Sequence, residues 1–171
     1  MKTTRFSFLF LVLCGLITAA SAYAQTASFS DSSVDYSFDV PDERWKMTVK
    51  PSPTKPNVEY VFGDRNDGHL EVRRLTVARD AILGDVVRDE EAKLQFLPGY
   101  VAGVDENFAG RLRGSVFNFE FVRAGRPMSG RFYFLRANDT TVYVLRFTGF
   151  RDKLRSIRHH ADSISRTFQV K

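Results

Sequence analysis

From Val34 onward the chain alternates apolar and polar positions. Val34, Tyr36, Phe38 and Val40 are separated by Asp35, Ser37 and Asp39. A period of two marks a strand with one buried face, and Pro41 ends it. Trp45, Met47 and Val49 repeat the pattern, and Pro51, Pro53 and Pro56 then force an extended loop. Strands are predicted again over 58–62 and 70–77, joined by the turn Gly63-Asp64-Arg65-Asn66-Asp67-Gly68. That turn lacks the glycine placement of an EF-hand loop, so a plain hairpin is expected. Residues 81–97 switch to helical spacing. Val86, Val87, Leu94 and Leu97 mark one side, and Asp89, Glu90, Glu91 and Lys93 the other, with Pro98-Gly99 as the stop. Strands follow over 115–123, 128–137 and 140–148. Leu154, Ile157, Ala161, Ile164 and Phe168 then stripe an amphipathic helix over 151–168.

Four strands, a helix, three strands and a helix, with short turns, predict an α+β domain. Its antiparallel sheet of about six or seven strands is flanked by helices. Loops centred on Gly125-Arg126 and Asn138-Asp139 set a register. They place Phe117 opposite Phe134, Phe119 opposite Phe132 and Phe121 opposite Gly130. In turn, Phe134 faces Tyr143, Phe132 faces Leu145 and Gly130 faces Phe147. Facing residues share a side of the sheet, so one aromatic face results, with the C-terminal helix expected on top. A loop of odd length would break the scheme.

In this register the other face carries a polar row of Glu120, Arg131 and Arg146. Asn118, Tyr133 and Val144 lie beside it, then Leu135 and Val142. Two facing arginines repel by a few tenths of a kcal/mol, partly offset by Glu120. The row is either a surface charge ladder of little energetic weight or a patch for an anionic or polar ligand. In the second case the guanidinium groups are forked donors and Tyr133 is a wall. The candidate ligand-binding residues are therefore Asn118, Glu120, Arg131, Tyr133 and Arg146.

The first 24 residues carry a different pattern. Lys2 and Arg5 precede an apolar run from Phe6 to Ile17, and Ala22-Tyr23-Ala24 has the small-x-small form of a signal-peptidase site. Cleavage after Ala24 is expected, leaving a flexible leader over 25–33, a single domain over 34–171 and a periplasmic or secreted product. Leu13 before Cys14 does not fit a lipoprotein box. Export removes the chain's single cysteine, so thiol chemistry and disulfides are excluded from the mature chain. It also leaves 23 basic against 20 acidic residues, far less basic than the whole chain's +5 over 171 residues suggests. No Lys/Arg block of nucleic-acid type is present, and no later apolar run is long enough to span a bilayer. With 43% apolar and 26% charged residues the chain is an ordinary globular one, not disordered or fibrous.

Chemistry-bearing motifs are missing. There is no Gly-x-Ser-x-Gly elbow, His-Glu-x-x-His, P-loop or dinucleotide fingerprint. His69 is expected in solvent after a turn. His159 and His160 are adjacent on a helix, so they diverge by about 100° and make poor metal partners. Asp89-Glu90-Glu91 reads as a solvated helix face. No cofactor or metal is called for.

The early strand followed by Pro41-Asp42-Glu43-Arg44-Trp45, the proline-rich connection and the mid-chain helix resemble the PsbP-like family. So do the strand Val142-Tyr143-Val144-Leu145-Arg146-Phe147 and the final helix ending Ser165-Arg166-Thr167-Phe168. The resemblance covers about residues 33–170. It implies an antiparallel sheet between helices and non-catalytic work. Members stabilise partner complexes, as an extrinsic photosystem subunit does, or bind a small GTPase. The export-type leader sets this chain apart from photosynthetic and nuclear-import members.

The expected function is that of an exported, non-enzymatic binding or accessory module of a bacterial cell envelope. It would dock to an envelope protein partner or an anionic small ligand. Two other classes remain open. One is an envelope hydrolase whose groups meet only in the fold. The other is a carrier of an apolar ligand, which needs a cavity behind Phe119, Phe132 and Leu145.

Overall fold

The computed structural model describes residues 27–171. The expected signal segment and its cleavage point lie outside the described residues. In chain order the strands are β1 (Ala27–Ser30), β2 (Tyr36–Val40), β3 (Trp45–Val49), β4 (Val58–Phe62) and β5 (His69–Thr76). After α1 (Leu83–Leu94) come β6 (Val101–Ala109), β7 (Arg113–Arg123), β8 (Arg126–Asn138) and β9 (Thr141–Phe150). The chain closes with α2 (Arg151–Ser156), α3 (Arg158–Thr167) and β10 (Gln169–Val170).

Seven strands form one antiparallel sheet in the order β3-β4-β5-β9-β8-β7-β6, and β1-β2-β10 form a small second sheet. This is the α+β sandwich the alternation predicts. The residues expected to be a loose leader instead supply β1. Phe29 is buried there, and Ala27–Ser30 pair with β2 from Val40 back to Ser37. The first predicted strand, β2, belongs to the small sheet and not to the main one.

Each face of the main sheet has its own core. On one, α2, α3 and the small sheet cover Val116, Tyr133, Leu135, Tyr143, Leu145 and Phe147. On the other, α1 lays Val86, Val87 and Leu94 against Phe117, Phe119, Phe121, Phe132 and Phe134. The C-terminal helices do rest on an aromatic face, but it is the face of Tyr133, Tyr143 and Phe147. The phenylalanine face lies under α1. Glu90, expected in solvent, is buried beneath α1 and bonded by Lys93.

Two turns explain the difference. The β7–β8 turn is Ala124-Gly125, with φ of 49° and 73°. Both are left-handed, as a two-residue hairpin of the primed type requires. Phe117 therefore faces Phe132, and Phe119 faces Gly130. This is a slip of two residues from the expected register, and it keeps every side chain on its face. At the β8–β9 turn the register shifts between Arg136 and Asn138, leaving Ala137 as an extra residue. Asn138 Oδ1 accepts from Thr140 N at 3.0 Å and holds that turn. A single-residue bulge displaces the pairing by one, so Phe134 faces Val144, Phe132 faces Arg146 and Arg131 faces Phe147. Every β9 side chain thereby moves to the face opposite the expected one.

Candidate functional site

The bulge splits the predicted polar row. Asn118, Glu120, Arg131 and Tyr133 share the face under α2 and α3, with Asn118 paired to Arg131 across the β7–β8 ladder. Arg146 sits on the α1 side and does not oppose Arg131.

Four polar side chains of one network carry the site. Strand alternation points Arg131 and Tyr133 at the helices, where both are buried. A guanidinium there needs its donors satisfied. Arg131 Nε donates to Tyr133 Oη at 2.6 Å, Nη1 to Asn118 Oδ1 at 2.7 Å and Nη2 to Asp162 Oδ1 at 3.0 Å. Tyr133 also donates to Asp162. Burial, followed by the bond to the Asp162 carboxylate, pushes the Tyr133 phenol pKa upward and keeps it neutral. Asn118 Nδ2 donates to Val104 O at 3.2 Å, tying the network to the edge strand β6. Asp162 was not foreseen. It lies next to the apolar stripe of the last helix, and a single sequence does not tell how that helix is rotated over the sheet.

This network floors one end of a cleft of about 420 Å³ between the β6-β7-β8 edge and the helices. The sheet side is lined by Val101, Ala102 and Gly103 of β6, Asn118, Phe119 and Glu120 of β7, and Ser129, Gly130 and Arg131 of β8. The helix side is lined by Arg151, Leu154, Arg155 and Arg158. Leu154 points to the core, and the arginines around it fall off the stripe toward the cleft. Arg151 Nη1 donates to Glu120 Oε2 at 3.3 Å, and Arg158 lies 3.8 Å from Glu106. Arg155 has no ion pair among the described residues. The Nε of Arg151 is buried without a partner. Four guanidinium groups thus line one cleft, a surface suited to carboxylates or other anions.

The remaining candidates resolve individually. His69, expected in solvent, is buried, and its Nε2 lies 2.8 Å from Glu59 Oε2. His160 is also buried and accepts from Trp45 Nε1 at 3.3 Å through Nδ1. Among the described residues no group of three or more His, Cys, Asp or Glu is placed to hold a metal ion. No helix among them is long and apolar enough to cross a membrane. The cavity an apolar-ligand carrier would need behind Phe119 and Phe132 is occupied by those rings. They meet edge to face at 4.9 Å, with Gly130 beneath. Leu145 is on the other face.

No family model and no curated protein sequence matches the chain. Solved structures do match in fold. The Ran-binding protein Mog1p of Saccharomyces cerevisiae superposes with a TM-score of 0.62 at 11% identity, over 86% of this chain and 96% of that one. Cyanobacterial PsbP of Synechocystis gives 0.58 at 14%, over 89% and 96%. LpqN of Mycobacterium tuberculosis, involved in cell envelope biogenesis, gives 0.57 at 15%, over 88% and 87%. The chain has the PsbP-like α/β/α sandwich fold, at a distance where identity speaks for architecture alone.

Proposed function

We propose that the protein is an exported, non-enzymatic docking module of a bacterial cell envelope, and that the cleft between β6-β7-β8 and α2/α3 receives an acidic segment of a partner protein. The observation that carries this reading is the convergence of Arg131, Arg151, Arg155 and Arg158 on one cleft. Arg131, bonded to Tyr133, Asn118 and Asp162, fixes the floor of the cleft, while Arg155 stands exposed beside it without an ion pair among the described residues. The edge strand β6 borders the same cleft. Its exposed backbone edge and the exposed Val101 and Val104 offer an extended segment main-chain and apolar contacts beside the arginines. Fold analogy supports binding work. One structurally similar protein binds Ran, and another is involved in envelope biogenesis.

The test is site-specific photo-crosslinking in the cell, with the reactive group at Ser129 inside the cleft and at Lys46 on the far sheet edge as control. A partner captured only from position 129, and lost when Arg155 and Arg158 are reversed to glutamate, supports the reading. Equal capture from both positions, or capture indifferent to the charge reversal, removes it. N-terminal sequencing of the exported product tests the leader, with Gln25 expected first.

A further inference from the structure

The α1 face of the sheet holds a second polar site, separate from the cleft. Helix α1 covers the β7-β8-β9 phenylalanines, and beyond it the sheet turns polar. Glu59 of β4, His69, Glu71 and Arg73 of β5, and Arg146 and Thr148 of β9 alternate onto this face. The ladder sets Glu59 opposite Glu71, and Glu71 opposite Arg146.

The acids are already served. Glu59 is held by His69 at 2.8 Å and Arg65 at 3.2 Å, and Glu71 by Arg73 at 2.7 Å. Arg146 receives only what remains of Glu71, at 3.5 Å. Its side chain is 19% exposed, its Nε is buried without a partner, and its guanidinium lies 4.6 Å from the Phe132 ring centre. Burial, and then the neighbouring Arg73, lowers the Arg146 pKa, which means the fold opposes this charge more than it compensates it. Glu90 of α1 acts the other way, but Lys93 bonds it.

A turn and a strand end bring further cations. Arg65 from the β4–β5 turn and Arg123 at the end of β7 line a pocket of about 180 Å³ with His69, Glu71, Arg146 and Thr148. Arg123 has no carboxylate partner among the described residues. Cations therefore outnumber acids around this hollow, and its volume is well below the 300–1,000 Å³ usual for drug-sized ligands. We infer that this pocket binds a small tetrahedral oxyanion of the phosphate or sulfate class, with Arg146 at its floor and Arg65 and Arg123 closing over it. Guanidinium forks match such oxygens in pairs, and Thr148 offers a hydroxyl donor.

The site lies across the sheet from the cleft and stands whether or not the docking reading does. The test is calorimetric titration of the purified protein with inorganic phosphate, sulfate and glycerol 3-phosphate at low ionic strength. One saturable site for phosphate is expected, weakened about tenfold by Arg123→Ala and by Arg146→Lys and unchanged by Arg79→Ala, an exposed arginine that lines neither the pocket nor the cleft. Arg123 is exposed, so its variant folds even if changes at Arg146 do not. Glycerol 3-phosphate binding as well as phosphate would assign a monoester group, and phosphate alone a free ion. Absence of saturable binding, or binding indifferent to Arg65→Ala, Arg123→Ala and Arg146→Lys, overturns the inference.

Discussion

Arg131 on β8 donates to Asp162 on α3 at 3.0 Å, an ion pair that ties the sheet to that helix at the floor of the cleft. The guanidinium is nearly buried and Asp162 is 32% exposed, so truncating the carboxylate strands the cation in the interior while water relieves part of the loss. Asp162→Ala should destabilise the fold by about 1–3 kcal/mol. Asp162→Asn, which keeps an acceptor, should cost less. Urea unfolding with an unchanged m-value measures both, and equal stability of Asp162→Ala and the natural protein would refute the assignment.

Gly130 and Phe119 are directly paired, and a Cβ on Gly130 would lie 2.1 Å from the Phe119 ring. The ring fills the space the glycine leaves. Gly130→Ala should cost about 1–3 kcal/mol through overpacking. In a Phe119→Leu background the penalty should shrink, because the two residues share one volume. A double-mutant cycle by thermal unfolding reads this coupling, and strict additivity would argue against it.

His160 gives the protein a pH dependence with a defined sign. Burial, with His159 beside it, lowers its pKa, against the pull of Asp42 3.9 Å away. Trp45 donating to Nδ1 also needs that nitrogen unprotonated. Below the ordinary value of about 6.5 the unfolded chain takes up the proton first. The stability that neutral His160 supplies is thus complete above about pH 6.5 and is lost as pH falls toward the lower folded-state value. Unfolding free energies from about pH 8 to about pH 5 should fall, and His160→Gln should flatten that part of the curve.

Arg155 lines the cleft without an ion pair among the described residues, and its side chain is exposed. Arg155→Ala should leave unfolding free energy within about 0.5 kcal/mol of the natural protein while reducing partner capture. A large loss of stability would assign Arg155 to the fold instead of to docking.

Asp42 accepts from the Arg44 guanidinium at 2.7 Å and from its backbone N–H at 2.8 Å, which pulls its pKa down to about 2. Its contribution is present above the ordinary carboxylate value and disappears as pH falls toward about 2. Asp42→Asn should therefore reduce the acid-limb slope between about pH 4 and pH 2, as circular dichroism would follow.

The elements that bury one face were readable along the chain. β2 alternates strictly, β4, β5, β7, β8 and β9 stand out as apolar and aromatic runs bounded by turn residues, and Leu154, Ile157, Ala161, Ile164 and Phe168 keep helical spacing even though the helix breaks at Ile157. β6 was not readable, because an edge strand exposed at every residue but Phe108 has no reason to alternate. β1 was hidden for a related reason, since Phe29 alone is buried among small residues.

For the site, parity along β7 and β8 suffices to put Asn118, Glu120, Arg131 and Tyr133 on one face, since a slip of two residues preserves it. Arg146 depends on the turn after β8. One extra residue at Ala137 reverses which way all of β9 points, and its tendency to bulge is set by local turn geometry that hydrophobic spacing does not encode. Arg151, Arg155 and Arg158 reach the cleft, and Asp162 reaches Arg131, through the rotation and placement of the last helices on the sheet. Local periodicity says which face of a helix is buried, but packing of side chains across the interface decides where that face lands. Arg131 thus became a cleft residue, and Arg146 the floor of a different pocket, only when the layers closed.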